Sequence, residues 1–420
     1  MAGTTPSAPT PIPEVYVLWN PRCAIGERLA ASILNWLRPG IGLGPQVFYR
    51  SLPAPGGEAY DLPLPLPGET RRKVPVPAAN PGSRIDHQIV VALIDENFVA
   101  ELPWRYWLQR LAQEQPAVKR TIFPVALDPT AYNMPDEIRR LNYMRPIGAP
   151  TATAPGTPEF EAMERSLLKQ LTEAMCRLLL PRPAGSPGNV DGELPKVNVF
   201  LSHARQDGSV PARRLRDYIY SQTQLAAFFD ENDISYASSF AAVIQKSLDS
   251  LDTAALICVR STQYAFRPWC RREFSLFRRP RQEPTPRGKA ERWRLYPSLV
   301  VEALEGRNVS YGIPEAGNCP IIRWNGADLG LEELIISTVI RDAMLASFHS
   351  ALGALLATRP DQIVINWLPD PTTLLYIPRV RARQKVDLLY PGRGLSSLEL
   401  LTLRDFFPEV RFHAFDQVQS

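Results

Sequence analysis

The chain is poor in the residues that metal sites and disulfide frameworks require, with five cysteines and four histidines in 420 residues. Cys23, Cys176, Cys258, Cys270 and Cys319 are scattered without any C-x-x-C pair, and His87, His203, His349 and His413 are as dispersed. Neither a structural zinc site nor a disulfide scaffold is expected. An odd number of unclustered cysteines suits a reducing cytoplasm, where thiols stay free. Charge imbalance is lacking as well: the formal net charge is +4, and no segment reads as a continuous basic stripe, so nucleic acid is not implied as a direct partner. The opening MAGTTPSAPTPIP has neither a basic start nor an apolar core. No apolar run stands out as long enough to cross a bilayer, so neither a signal peptide nor a membrane partner is expected.

What the chain does have is an ordinary core-forming balance, 45% hydrophobic and 21% charged, over a length that allows two or three domains. It also has 42 prolines, about twice the usual share, and their clustering marks the segmentation. Residues 1–13, 51–82, 146–158 and 181–195 read as tail, long loop, loop and linker. The resulting division is a disordered tail over 1–13, an α/β domain over 14–180, a linker over 181–195, a second α/β domain over 196–357 and a small α/β extension over 358–420.

From 195 onward, short apolar runs alternate with amphipathic stretches. VNVFL (197–201), LAAFF (225–229), AALICV (254–259), SLVVEAL (298–304) and PIIRW (320–324) read as buried strands, and ARRLRDYIYSQ, FAAVIQKSLDSL and a long segment from Leu331 read as helices. Such a rhythm implies a doubly wound parallel sheet covered on both faces, because parallel neighbours need helical crossovers. The first 180 residues repeat the rhythm more weakly with VYVLW, QVFYR, QIVVALI and TIFPVAL, closed by a helix over 159–180. The chain reads as a duplication. In the tail, QIVINWL, KVDLLYP and VRFHAF are further strands, with a helix beginning at Ser396 or Ser397; the PGRG turn before it reads as a turn rather than an anion nest.

Residues 196–357 resemble a TIR (Toll/interleukin-1 receptor) domain. VFLSHARQD resembles the family's first strand and loop, FFDENDI with SSFAAVIQKSL its second strand, following loop and next helix, and ALICVRSTQYAFRPWCRREF its third strand and tryptophan–glutamate signature. The resemblance implies a flavodoxin-like fold. The proline-broken basic stretch RRPRQEPTPRGKAERWR (278–294) departs from the pattern and reads as a solvated loop. Some TIR domains only assemble, and others cleave NAD at the nicotinamide–ribose bond through the glutamate of the signature, which is Glu273 in this sequence.

Ligands of open α/β sheets bind beyond the carboxyl ends of the strands, near the point where strand order reverses. Ser202 to Arg205, Asp230 to Phe240 and Ser261 to Glu273 follow strands one, two and three, so these loops converge there. The resemblance implies that Arg205 approaches the dinucleotide, Phe240 stacks on a ring and Trp269 packs beside Glu273. Ser202, His203 and Asp230 complete the candidate substrate-binding set. Each has a plainer reading: Asp230 as a turn-former, Trp269 as a core anchor, Arg205 as a solvated charge, Cys270 as a small buried residue. On a helical wheel Glu273 falls at the rim of the apolar face, where a surface ion pair with Arg271 or Arg272 is the alternative to catalysis.

One carboxylate is chemically sufficient for NAD cleavage. Glycosidases need a second carboxyl group to protonate the departing oxygen, whereas nicotinamide leaves as a neutral base. The expected activity is therefore a TIR NAD+ glycohydrolase, with NAD+ as substrate, no cofactor and no metal, acting as a defence effector activated by self-assembly. Its expected partners are further copies of itself and an unidentified activating protein or nucleotide signal. A non-enzymatic assembly module and a cyclase are the alternatives. In the first domain, PWRYWLQRL (103–111) occupies the place of the signature and carries Leu108 and Leu111 four residues beyond its tryptophans, so that half reads as a TIR-like fold without the chemistry.

Overall fold

The computed structural model describes residues 12–38, 44–50, 60–61, 73–74, 87–113, 119–148, 154–180, 197–229, 253–285, 288–304, 312–324, 330–356, 359–392 and 394–418. Residues 1–11 of the expected tail, the linker, the helix FAAVIQKSLDSL, Asp230 and Phe240 lie outside these residues, and Pro13, expected in the tail, opens the first strand. The chain divides into two compact units, Pro11–Leu171 and Thr172–Ser420.

In the first unit, β1 (Pro13–Trp19), α1 (Gly26–Leu37), β2 (Gln46–Arg50), β3 (His87–Ile94), α2 (Leu102–Gln113) and β4 (Arg120–Ala126) alternate, and α3 (Pro158–Leu179) follows, beginning in this unit and ending in the next. The strands are parallel in the order β2-β1-β3-β4. β3 is buried along nearly its whole length, as expected of a strand covered on both faces. On α2, Trp104, Trp107, Leu108 and Leu111 are buried and join Phe98 and Val90 in the core. Residues 51–82, expected as an unbroken loop, carry a short antiparallel pair, Tyr60–Asp61 with Lys73–Val74.

In the second unit, β5 (Asn198–His203), α4 (Ser209–Gln222), β6 (Ala226–Phe229), β7 (Thr253–Arg260), α5 (Pro268–Arg278), β8 (Arg281–Gln282), β9 (Glu291–Arg294), β10 (Ser298–Glu302), β11 (Ile321–Arg323), α6 (Leu331–Leu356), β12 (Gln362–Ile365), β13 (Val386–Tyr390), α7 (Ser397–Phe406) and β14 (Val410–Ala414) build two sheets. The first is wholly parallel with the order β6-β5-β7-β10-β11. This 2-1-3-4-5 order is the flavodoxin-like arrangement, and its reversal lies between β5 and β7. The four strands of the first unit's parallel sheet follow the same 2-1-3-4 order.

The other sheet, β8-β9-β12-β13-β14, corrects the reading of residues 278–294 as a solvated loop. β8 and β9 form an antiparallel hairpin whose second strand pairs in parallel with β12. Trp293 of that hairpin is buried in one core with Ile363, Ile365, Leu388 and Phe412. Asn366 adds a polar tie, accepting from the Leu295 amide at 2.9 Å and donating to the carbonyls of Leu295 and Ala346. The residues after 358 thus complete a sheet that begins inside the preceding fold.

α6 lies between the two sheets, touching β7 and β10 on one side and β9 and β12 on the other. Its 26 residues are long and apolar enough to cross a membrane by length and composition, contrary to the expectation that no such run exists. Most of that run is buried inside the protein, and a helix apolar all round is what burial between two sheets demands. At the start of α7, Ser396 accepts from the Glu399 amide while the Glu399 side chain accepts from the Ser396 amide. This capping box satisfies the helix terminus locally.

Candidate active site

α5 owes its start to Pro268, whose missing amide proton is no loss in the first turn of a helix. Its buried residues are Cys270, Glu273, Phe274 and Phe277, one continuous stripe with the i, i+3, i+4, i+7 spacing of a core-facing helix. Glu273 therefore lies within the buried stripe at 5% exposure, not at its rim. Arg271, one of the two partners in the alternative surface ion pair, bonds Glu315 at 2.7 and 3.1 Å. Arg272 stacks over the Trp269 ring, 5.1 Å from the centroid.

The Glu273 carboxylate is bound through the sheet. Ser202, the penultimate residue of β5, donates its hydroxyl to Glu273 Oε2 at 2.6 Å, within the range of a charge-assisted O–H···O bond. The Tyr264 hydroxyl lies 2.7 Å from Ser202 Oγ and donates to the Cys270 carbonyl at 3.1 Å. Ser202 is also opposite Cys258 of β7 in the strand register. Burial, then the neighbouring Cys258 and the Glu273 carboxylate, pushes the Tyr264 phenol well above its ordinary range, so it remains a protonated donor. Burial likewise raises Cys258 and Cys319, which keeps both as thiols.

The loops beyond β5 and β7 are stapled together at this edge. Asp207 accepts from Ser261 Oγ at 2.5 Å and from the Gln263 amide at 2.9 Å, and Arg267 bonds Gln206. Gly208 is required here, because a Cβ would approach the Ala204 carbonyl oxygen to 2.9 Å and its amide nitrogen to 3.1 Å.

The other expected residues distribute unevenly around Glu273. Ser202 is 1% exposed, so it holds the carboxylate and presents little surface to a ligand. His203 is buried, and its carbonyl accepts a weak bond from Cys270 Sγ at 3.4 Å. Arg205 is exposed on the first loop, its carbonyl accepting from Ser209. Trp269, one turn before Glu273 on α5, is 48% exposed, which sets aside its plainer reading as a buried core anchor. Sequence reasoning missed Tyr264 and Asp207; the only available signal was their place in the loops that converge on this edge. A depression of about 300 Å³, lined by Phe266, Pro268, Arg271, Arg272, Ser275 and Glu315 among others, lies on the opposite face of α5.

A five-stranded parallel sheet in flavodoxin-like order defines a doubly wound α/β domain, and the buried Glu273 carboxylate lies at the carboxyl edge beside the strand reversal, where such folds place ligands. Residues 199–297, from β5 to the start of β10, match the family model of the TIR domain, so the chain carries a TIR domain. No curated protein matches the chain.

Proposed function

We propose that the protein is a TIR-domain NAD+ glycohydrolase in which Glu273 is the catalytic residue. The observation that carries this reading is the carboxylate itself: it occupies the core-facing stripe of α5 and is held at the ligand-binding edge by a hydroxyl of β5. A carboxylate withdrawn from water and fixed in direction stabilises nearby positive charge far better than a hydrated one. As the ribose–nicotinamide bond breaks, its electron pair passes to the pyridinium nitrogen and neutral nicotinamide leaves. The positive charge then resides on the ribose, where Glu273 stabilises it. Water adds at the same carbon and releases a proton, giving ADP-ribose. Arg205, Trp269 and, beyond the described residues, Asp230 and Phe240 are the proposed contacts to the rest of the dinucleotide.

The test is nicotinamide release by the purified full chain. Replacing Glu273 with Gln keeps the shape and removes the charge, so turnover should fall by about 10²–10³-fold, the scale of losing one preorganised electrostatic group. Equal release from both proteins would remove Glu273 from the mechanism, and product masses separate hydrolysis from cyclisation. We further place the chain in the cytoplasm as a defence effector that acts when copies assemble in response to a protein or nucleotide signal.

A second reading, an assembly module without chemistry, draws support from the first unit. There the described strands of the parallel sheet follow the same order, and α2 buries Leu108 and Leu111, the residues four beyond its two tryptophans, where a signature glutamate would be expected. Cell toxicity that persists in the Glu273→Gln variant, with self-association intact, would favour it.

A further inference from the structure

We propose that Tyr264 is a positioning residue that fixes the Glu273 carboxylate through Ser202; this rests on Glu273 being the catalytic group. Three separate elements meet in the arrangement: β5 supplies Ser202, the turn after β7 supplies Tyr264, and α5 supplies both Glu273 and the Cys270 carbonyl.

The proton count gives the arrangement its direction. An ionised carboxylate only accepts, so the single Ser202 hydroxyl proton is committed to Glu273 Oε2. Ser202 Oγ is then an acceptor towards Tyr264, whose own proton has three acceptors in reach: Ser202 Oγ at 2.7 Å, the Cys270 carbonyl at 3.1 Å and the Cys258 sulfur. A phenol that donates to the serine polarises the serine O–H and strengthens its bond to the carboxylate. The contact to the Cys270 carbonyl ties the same hydroxyl to the first turn of α5, three residues before Glu273. Shared between these acceptors, the one phenol proton links the serine that grips the carboxylate to the helix that carries it.

Packing alone does not call for that hydroxyl. The Tyr264 ring is fully buried in a core with Phe200, Phe274 and Phe277, where a phenylalanine would fill the same space without a buried polar atom to satisfy.

The experiment compares wild type, Tyr264→Phe and Glu273→Gln as full chains immobilised at high surface density, so that neighbouring copies touch, with nicotinamide release and thermal midpoint recorded for each. Tyr264→Phe should lower kcat by about five- to tenfold, the effect of one buried hydrogen bond, with KM within about twofold and Glu273→Gln reduced by about 10²–10³-fold. An unchanged kcat, or a raised KM alone, in Tyr264→Phe beside a Glu273→Gln reduced to that extent would overturn the role of Tyr264 and leave Glu273 standing. Release from Glu273→Gln equal to that of wild type would overturn the reading of Glu273 itself. A crystal structure of Tyr264→Phe decides the matter without turnover. Displacement of the carboxylate from Ser202 beyond about 3.2 Å is expected, and an unmoved carboxylate counts against the role.

Discussion

Burial sets the proton affinity of single residues well away from the candidate site. The Cys23 and Cys176 thiols rise from 9.0 to about 12, chiefly through burial, with Asp95 adding to the effect at Cys23. In the unfolded chain each ionises near pH 9, so between pH 9 and 12 only the folded state keeps the proton. The stability they contribute is whole below pH 9 and is lost as pH rises towards 12, at up to about 1.4 kcal/mol per pH unit for each thiol. The urea midpoint should be level from pH 7.5 to 8.5 and fall above 9, with a shallower fall in Cys23→Ala; a level midpoint to pH 10.5 would contradict the assignment. Residue-scale properties of this kind are only partly legible in a sequence. That the cysteines are unclustered and free could be read directly, but Glu273 looked like a rim charge because its partner, Ser202, is 71 positions away. A helical wheel contains the helix and not the strand beneath it.

Elements were more legible than their surroundings. The strands of both parallel sheets were readable because each is a short apolar run bounded by polar turns, as in β3 and β7. The β8–β9 hairpin was hidden, since its strands are two and four residues long, rich in arginine, and its stabilising partner β12 begins at Gln362. α6 was recognisable as a helix, but having no polar face it gave no sign of how many sheets cover it. Gly353 records one of those contacts: a Cβ there would come within 2.4 Å of Val364 Cγ1 and 3.0 Å of Phe415 Cζ. In an exposed helix, Gly→Ala stabilises by about 1 kcal/mol. At this site the sign should reverse, because overpacking costs about 1–3 kcal/mol and should lower the thermal midpoint by about 2–8 °C. A raised midpoint in Gly353→Ala would mean that α6 and β12 are not in such close contact.

At the scale of the whole molecule, the sequence suggested a TIR-like domain ending at 357 with a small addition behind it, whereas Thr172–Ser420 forms one compact unit. Two physical links explain why a cut at 357 is not neutral. β9 would lose its parallel partner β12 and leave Trp293 without its core. The face of α6 carrying Leu352 and Leu356, now packed with Val364, Leu389 and Phe415, would be open to water, and large exposed apolar patches drive association. The same hairpin begins three residues after α5 ends, and its Arg294 guanidinium stacks over Tyr296 at 4.7 Å, which in turn packs against Phe277 of α5 at 5.4 Å. Damage to the β8-β9-β12-β13-β14 sheet therefore has a short packed route to the helix that carries Glu273. A chain ending at residue 357 should aggregate on expression or, if soluble, unfold at a markedly lower temperature than the full chain and release less nicotinamide. Should the shortened chain match the full chain in both thermal midpoint and turnover, residues 358–420 would be an independent appendage, and the inserted hairpin would be stable without the sheet it now joins.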